Sequence, residues 1–226
     1  MSRGRARTEF EQALDYLNRH GANIAYEPNF LSPADADRYF EQLSELPEWS
    51  AGEACLIRKP FSKELVPIPR QQSAYGEPGT CYAFSGISVA ALPWIPLMLE
   101  LRERLAHRAR RTPNFVLVNR YRDGADSMGW HSDDERDLGP EPEILSLTLG
   151  AERDFQFRHK ESFLRRGEPP RRPDLETVTL RLGHGSLMVM RHPTNRDWKH
   201  QLPRRGGQNP RALGERLNLT WRVIET

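Results

Sequence analysis

Six segments in the second half of the chain, NFVLVNRY, EILSLTLG, DFQFRH, ETVTLRL, GSLMVM and RLNLTWRVI, are short and rich in β-branched, leucine and aromatic residues. Only loops separate them. No amphipathic helical stretch intervenes, so they cannot be the strands of βαβ units, which need a crossover helix between parallel neighbours. Antiparallel strands closed into a sandwich or barrel are the remaining solution, and a double-sheet jelly roll suits the number and spacing of the segments. The expected fold class is therefore mostly β with N-terminal helices and a jelly-roll core.

The helices belong to the first hundred residues. Thr8 followed by Glu11 fits a capping box, and Phe10, Ala13, Leu14 and Leu17 repeat at helical spacing up to Gly21. Ser32 before Pro33 opens a second helix with Tyr39, Phe40, Leu43 and Leu46 as its apolar stripe. ANIAYEPNFL between them reads as extended, and a third helix is expected from Trp94 to Arg110. With 226 residues the chain is read as a single domain, 1–112 preceding a β core at 113–226. No apolar run approaches the roughly 20 residues of a membrane span, and MSRGRARTEF lacks a signal-peptide core. Two cysteines, Cys55 and Cys81, build neither a disulfide framework nor a CxxC site, which points to an intracellular compartment.

Charge is distributed unevenly. Six acids and one arginine lie between Asp133 and Glu143, whereas Arg158 to Arg172 carries six Lys/Arg and two acids. Basic segments around an acidic centre suit a polyanion brought to a cation. GWHSDDERD supplies that centre. His131 and Asp133, at i and i+2 of an extended segment, point the same way and suit two positions of a 2-His-1-carboxylate triad for Fe(II). His159, His184, His192 and His200 are the candidates for the third ligand. His159 sits in a basic stretch and reads as surface; His200, after Trp198, is preferred, though spacing does not exclude His184.

Alternation places Phe115, Leu117, Asn119 and Tyr121 on one face of the first strand. In RLNLTWRVI it places Arg216, Asn218, Thr220 and Arg222 on one face and Leu217, Leu219, Trp221 and Val223 on the other. Two interior arginines demand anionic partners, and a dicarboxylate is a ready one. Their Cα atoms stand ~20 Å apart at ~3.3 Å per residue. One arginine then binds the far carboxylate, while the other serves the metal end beside Asp133.

NRYRDGADSMGWHSDDERDL, ILSLTLGAERDFQFRHK, HGSLMVMRHPTNRDWKHQLPR and RLNLTWR, with RQQSAYG and CYAFSG upstream, resemble the AlkB family of Fe(II)/2-oxoglutarate dioxygenases, the oxidative nucleic-acid demethylases, in particular the animal-type DNA-repair homologues. The resemblance runs from about Arg70 to Val223. It implies a double-stranded β-helix with a nucleotide-recognition lid, and His131, Asp133 and His200 as iron ligands. It implies 2-oxoglutarate contacts by Asn119, Tyr121, Arg216 and Arg222, with Arg216 on the distal carboxylate. Tyr82, Phe84 and Ser85 match the lid lining the base pocket, Asp134 and Glu135 match acids near the base, and Arg70 joins the substrate contacts. The remaining acids of the cluster are expected to be solvated. Phe61 is the one aromatic candidate for a finger that unstacks a duplex.

The resemblance also implies the reaction. N1-methyladenine and N3-methylcytosine are cations, so an acidic pocket favours them, and a duplex base must be flipped out to be reached. Fe(II), 2-oxoglutarate and O2 yield succinate and CO2 while the methyl group is hydroxylated and leaves as formaldehyde. The expected partner is DNA, single- or double-stranded, with RNA as a second candidate, for a monomer without membrane association, cytoplasmic or, in a eukaryote, nuclear. Two other functions fit the residues less fully: a related dioxygenase acting on RNA, a protein or a small molecule, and a nucleic-acid-binding module with a vestigial iron site.

Overall fold

A computed structural model describes residues 8–50, 56–58, 65–84, 87–163 and 169–225. The N-terminal part contains α1 (Glu9–Arg19), β1 (Ile24–Glu27), α2 (Pro33–Ser44), β2 (Leu56–Arg58), β3 (Leu65–Pro67), β4 (Gln71–Gly76), β5 (Cys81–Phe84), β6 (Ile87–Ala90), β7 (Leu92–Pro93) and α3 (Pro96–Ala106). The remainder contains β8 (Phe115–Tyr121), β9 (Met128–His131), β10 (Ile144–Gly150), β11 (Arg153–His159), β12 (Val178–Leu182), β13 (Ser186–Met190), the short α4 (Thr194–Asp197), β14 (Trp198–Leu202) and β15 (Arg216–Arg222).

The caps read from sequence are made. Thr8 accepts from the Glu11 amide while the Glu11 carboxylate accepts from the Thr8 amide. Ser32 caps α2 through the Asp35 amide, with Pro33 in the first turn. The third helix is shorter than expected and begins at Pro96, not Trp94. A proline disfavours helical backbone in the residue before it, and Ile95 is extended at φ −92°, ψ 155°.

Two sheets form the body. The large one has the order β1-β13-β10-β15-β8-β4-β7 and the small one β12-β11-β14-β9. All pairings in both are antiparallel except the two-residue pair of β4 with β7. Strands of the first hundred residues, β1, β4 and β7, thus complete the sheet built by the later ones. Both pairs β2-β3 and β5-β6 stand apart as hairpins.

The faces sort by alternation. Phe115, Leu117, Ile144, Met188 and Met190 of the large sheet cluster with Phe155, Phe157, Leu180, Leu182, Trp198 and Leu202 of the small one. The opposite face of the large sheet, with Val116, Val118, Leu147, Leu217, Leu219 and Trp221, is covered by Ala36, Tyr39 and Leu43 of α2 and Met98, Leu101 and Leu105 of α3. A sheet buried on both sides needs apolar residues at nearly every position, and the central strands supply them. Asn119 and Tyr121 of β8 and Arg216, Asn218, Thr220 and Arg222 of β15 lie on the inner face, so they sit between the sheets, whereas Arg120 lies on the other face against Trp49 and Glu215. Among the described residues no helix is long and apolar enough to cross a membrane.

Leu219 is fully buried on the helix-covered face. Leu219→Ala is expected to destabilise the fold by about 2–5 kcal/mol, read as a lower urea midpoint with an unchanged denaturant slope.

Candidate metal and cosubstrate site

The antiparallel pairing of β9 and β14 sets His131 directly opposite His200, with ring centroids 4.1 Å apart. His131 Nδ1 lies 2.8 Å from the Gly129 carbonyl oxygen. A carbonyl only accepts, so the proton resides on Nδ1 and Nε2 keeps the lone pair that a metal needs. The His200 ring stacks on Phe155 at 5.1 Å. Burial, with His131 adding to it, pushes the His200 pKa down to about 3, so the ring is neutral and able to ligate.

Asp133 completes the group. Its amide donates to Asn195 Oδ1 at 3.3 Å, which ties the segment after β9 to α4. One carboxylate oxygen stands 3.7 Å from His200 Nε2 and the other 3.7 Å from Arg222 Nη1. Burial works to raise the Asp133 pKa, but Arg222 and then the two imidazoles outweigh it and hold the group below the ordinary range. Ligand atoms of His131, Asp133 and His200 all lie within 4.8 Å of one another. Two imidazole nitrogens and one carboxylate oxygen on one side of an open space are the donor set of a non-haem Fe(II) centre.

That space is a cavity of about 330 Å³ between the sheets, lined by Asn119, Tyr121, Tyr82, Glu135 and Arg222 among others. At one end, Asn119 Oδ1 accepts from Arg70 Nε at 2.8 Å and from Gln72 Nε2 at 2.7 Å. Arg70 can only donate, which fixes the amide orientation and leaves the Asn119 amino group to face the cavity. Behind Tyr121 lies Arg216, fully buried, its Cζ 5.4 Å from the Tyr121 ring centroid. Arg216 Nη2 donates to Thr148 Oγ1 at 3.0 Å, while Nε and Nη1 find no acceptor among the described residues. Burial, reinforced by the neighbouring Arg153, pulls its pKa down to about 10, so it stays charged at neutral pH. A buried cation with unmet donors is costly unless an anion joins it. The far carboxylate of a dicarboxylate fits this requirement.

The two arginines of β15 stand apart: Arg222 lines the cavity, and Arg216 lies against Tyr121, one of its walls. Arg222 lies beside Asp133 with its Cζ 4.4 Å over the Tyr82 ring, and its Nε and Nη1 also lack hydrogen-bond acceptors among the described residues.

The substrate-side residues divide. Tyr82, in the β5-β6 hairpin, lines the cavity, and its hydroxyl donates to Glu135 Oε2 at 2.7 Å. Asp134 also borders the cavity but is exposed and held by Lys160 at 2.9 Å. Phe84 ends β5, while Ser85 and Phe61 lie outside the described residues. Arg70, expected among the substrate contacts, is buried behind Asn119 instead.

Two expectations need correction, and the preference for His200 over His184 holds. Glu143 is not solvated; it accepts from Arg191 Nε and the Arg110 amide, both at 2.7 Å, and ties two loops together. His159 is half-buried against Trp198, its Nδ1 accepting from the Glu161 amide. His184 is engaged elsewhere, between the Gly150 amide and Asp37. Sequence reading missed Gln72, Asn195 and Lys160, whose polar links hold Asn119, Asp133 and Asp134. Their contacts cross between distant segments and leave no local signal.

The fold and site define a non-haem iron oxygenase. The model of the 2OG-Fe(II) oxygenase superfamily matches residues 23–222, and the chain belongs to that superfamily and, within it, to the AlkB family. It is 43% identical over 209 residues to the DNA oxidative demethylase ALKBH2 of Mus musculus, covering 92% of this chain and 83% of that protein. The ALKBH2 of Homo sapiens is 41% identical over 209 residues, covering 92% of this chain and 76% of its own length. The alpha-ketoglutarate-dependent dioxygenase alkB homolog 3 of Mus musculus is 34% identical, covering 90% and 66%. The solved structure of OsALKBH1 superposes with a TM-score of 0.51 at 20% identity, over 88% of this chain and 97% of that one, a likeness of fold. Family membership brings Fe(II), 2-oxoglutarate and O2, and the orphaned donors of Arg216 together with the triad accommodate them.

Asp133→Ala removes the one anionic donor of the triad. It is expected to weaken Mn(II) binding, measured by titration calorimetry, by more than about a hundredfold, the upper reach of changes outside the ligands themselves.

Proposed function

We propose that this protein is an oxidative demethylase of alkylated bases in DNA, acting on N1-methyladenine and N3-methylcytosine. The observation that carries the reading is the pairing of Tyr82 with Glu135 on the wall of the cavity that holds the triad. A flat aromatic ring bonded to a partly buried acid suits a flat, positively charged base. Burial raises the Glu135 pKa, an effect the Tyr82 hydrogen bond partly offsets. A cationic ring against it favours the ionised carboxylate. The names of the mouse and human relatives, DNA oxidative demethylases, support DNA as the substrate.

Fe(II) held by His131, Asp133 and His200, with 2-oxoglutarate and O2, supplies the two-electron oxidation that turns the N-methyl group into an N-hydroxymethyl group. The chain's own residues position the reactants. Arg216 takes the distal carboxylate of 2-oxoglutarate, Asn119 and Tyr121 orient it, and Arg222 balances Asp133 so that the ligand stays ionised. Tyr82, Glu135 and Asp134 hold the extruded base. The hydroxymethylated base loses its positive charge as formaldehyde departs. In this reading residues 1–112 furnish the lid, the helical cover and three strands of the large sheet, and 113–226 the catalytic core, of a single domain working wherever the cell keeps its DNA.

The test loads the protein anaerobically with Fe(II) and 2-oxoglutarate, adds a 3-methylcytosine oligonucleotide as single strand, duplex or RNA, admits air, and reads base mass and formaldehyde. Loss of the methyl group with one formaldehyde per succinate is expected for DNA. Succinate without demethylation contradicts the reading. Glu135→Gln is expected to lower kcat/KM for this cationic base by on the order of tenfold or more, since a hydrogen bond to a charged group contributes roughly 1.5–3 kcal/mol.

A further inference from the structure

The outer face of the small sheet holds a feature that the chemistry at the cavity does not use. Arg158 of β11 and Lys199 of β14 are direct cross-strand partners. Like charges placed directly opposite each other destabilise a sheet. Arg158 donates to a backbone carbonyl, that of Ser162 at 3.3 Å. Among the described residues neither cation has a carboxylate at ion-pair distance, for Asp134 is engaged by Lys160, and Asp154 by Arg205 and Arg181.

Beside this pair stand two aromatic rings. Trp130 of β9 and Phe163 meet edge to face, with centroids 5.9 Å apart. The Arg158 guanidinium lies 4.0 Å over the Phe163 ring, and Lys199 Nζ lies 5.9 Å from it. All four side chains are half-buried, so each presents surface to solvent. Trp130 and Lys199 also border the cavity that holds the triad. The patch thus shares two of its four residues with the lining of that cavity. It combines uncompensated positive charge with π faces, the pairing that binds unpaired nucleotides without reading their sequence.

We propose that Trp130 and Phe163 form a stacking platform for one unpaired nucleobase outside the catalytic cavity, with Arg158 and Lys199 holding its phosphate. This inference rests on the reading of the protein as acting on DNA. The platform takes the base of a nucleotide flanking the target, and the phosphate relieves the repulsion across β11 and β14. It favours a strand whose flanking base is free to turn out.

The test uses protein loaded with Mn(II) and 2-oxoglutarate, so that nothing turns over. The probe is a single-stranded oligothymidylate carrying one 3-methylcytosine, with an abasic residue moved through the flanking positions, and binding is read by fluorescence anisotropy. One flanking position is expected to weaken wild-type binding about tenfold when its base is removed, within the range of a base–aromatic stack. The same removal is expected to change little in Trp130→Leu and in Phe163→Leu, two variants that report independently if either folds poorly. Lys199→Gln is expected to reduce the salt dependence of log Kd by about 0.7, one phosphate contact on a single strand. No sensitive position, or a sensitivity that persists undiminished in both variants, overturns the platform. So does competition by a polyglutamate peptide equal to that by unmodified oligothymidylate. If the methyl group makes no difference to binding but the base-to-aromatic coupling remains, the platform stands and the demethylase reading fails.

Discussion

The register between β9 and β14 is the constraint on which the site depends. It sets His131 opposite His200 on the inner face of the small sheet. Side chains alternate along a strand, so a slip of one residue turns His200 to the solvent and brings Lys199 inward. The register is held by flanking apolar residues, since Trp198 and Leu202 share the inner face of β14 with His200 and are almost wholly buried. Packing thus specifies where the donors go. Phe155 and Phe157 add to this by walling the His200 ring.

The second condition is balance of charge between the sheets. Asp133, Arg216 and Arg222 are each less than a tenth exposed. Asp133 and Arg222 neutralise each other at the metal end. Among the described residues Arg216 is hydrogen-bonded to the Thr148 hydroxyl and lies against the Tyr121 ring, beside a second buried arginine, Arg153, whose bonds run to the backbone carbonyls of Asp123, Asp126 and Pro203. An excess of positive charge at one end and a cluster of metal donors at the other select a ligand that carries an anion at both ends. The large sheet tolerates these polar side chains because its other face is apolar and sealed by α2 and α3.

Much of this was legible in the chain. The alternation in RLNLTWR separates the arginines and Asn218 from Leu217, Leu219 and Trp221, and the two faces of β15 follow that division. HSD after a strand marked two ligands. What spacing alone did not settle was the third, for which it left His184 open beside His200; the resemblance implied His200, and the pairing of β14 with β9 sets it opposite His131. Long-range polar ties were hidden for the same reason. Glu143 reads as one more acid of a solvated run, yet Arg191 lies 48 positions away and meets it. Arg70 was expected among the substrate contacts, yet its Nε is bonded to Asn119. Local pattern encodes which face a residue takes, and it does not encode which distant residue waits there.

The central claim is two-point capture of a dicarboxylate, by the triad's metal at one end and by Arg216 at the other. It is tested most directly by titrating Mn(II)-loaded protein, without O2, with 2-oxoglutarate and with 2-oxopentanoate, which has the same carbon chain but no distal carboxylate. The account predicts that 2-oxopentanoate binds weaker by on the order of tenfold to a hundredfold, the value of a charge-assisted bond to a buried cation. The difference is expected to vanish in Arg216→Gln. Equal affinity for the two acids in the wild type would contradict it.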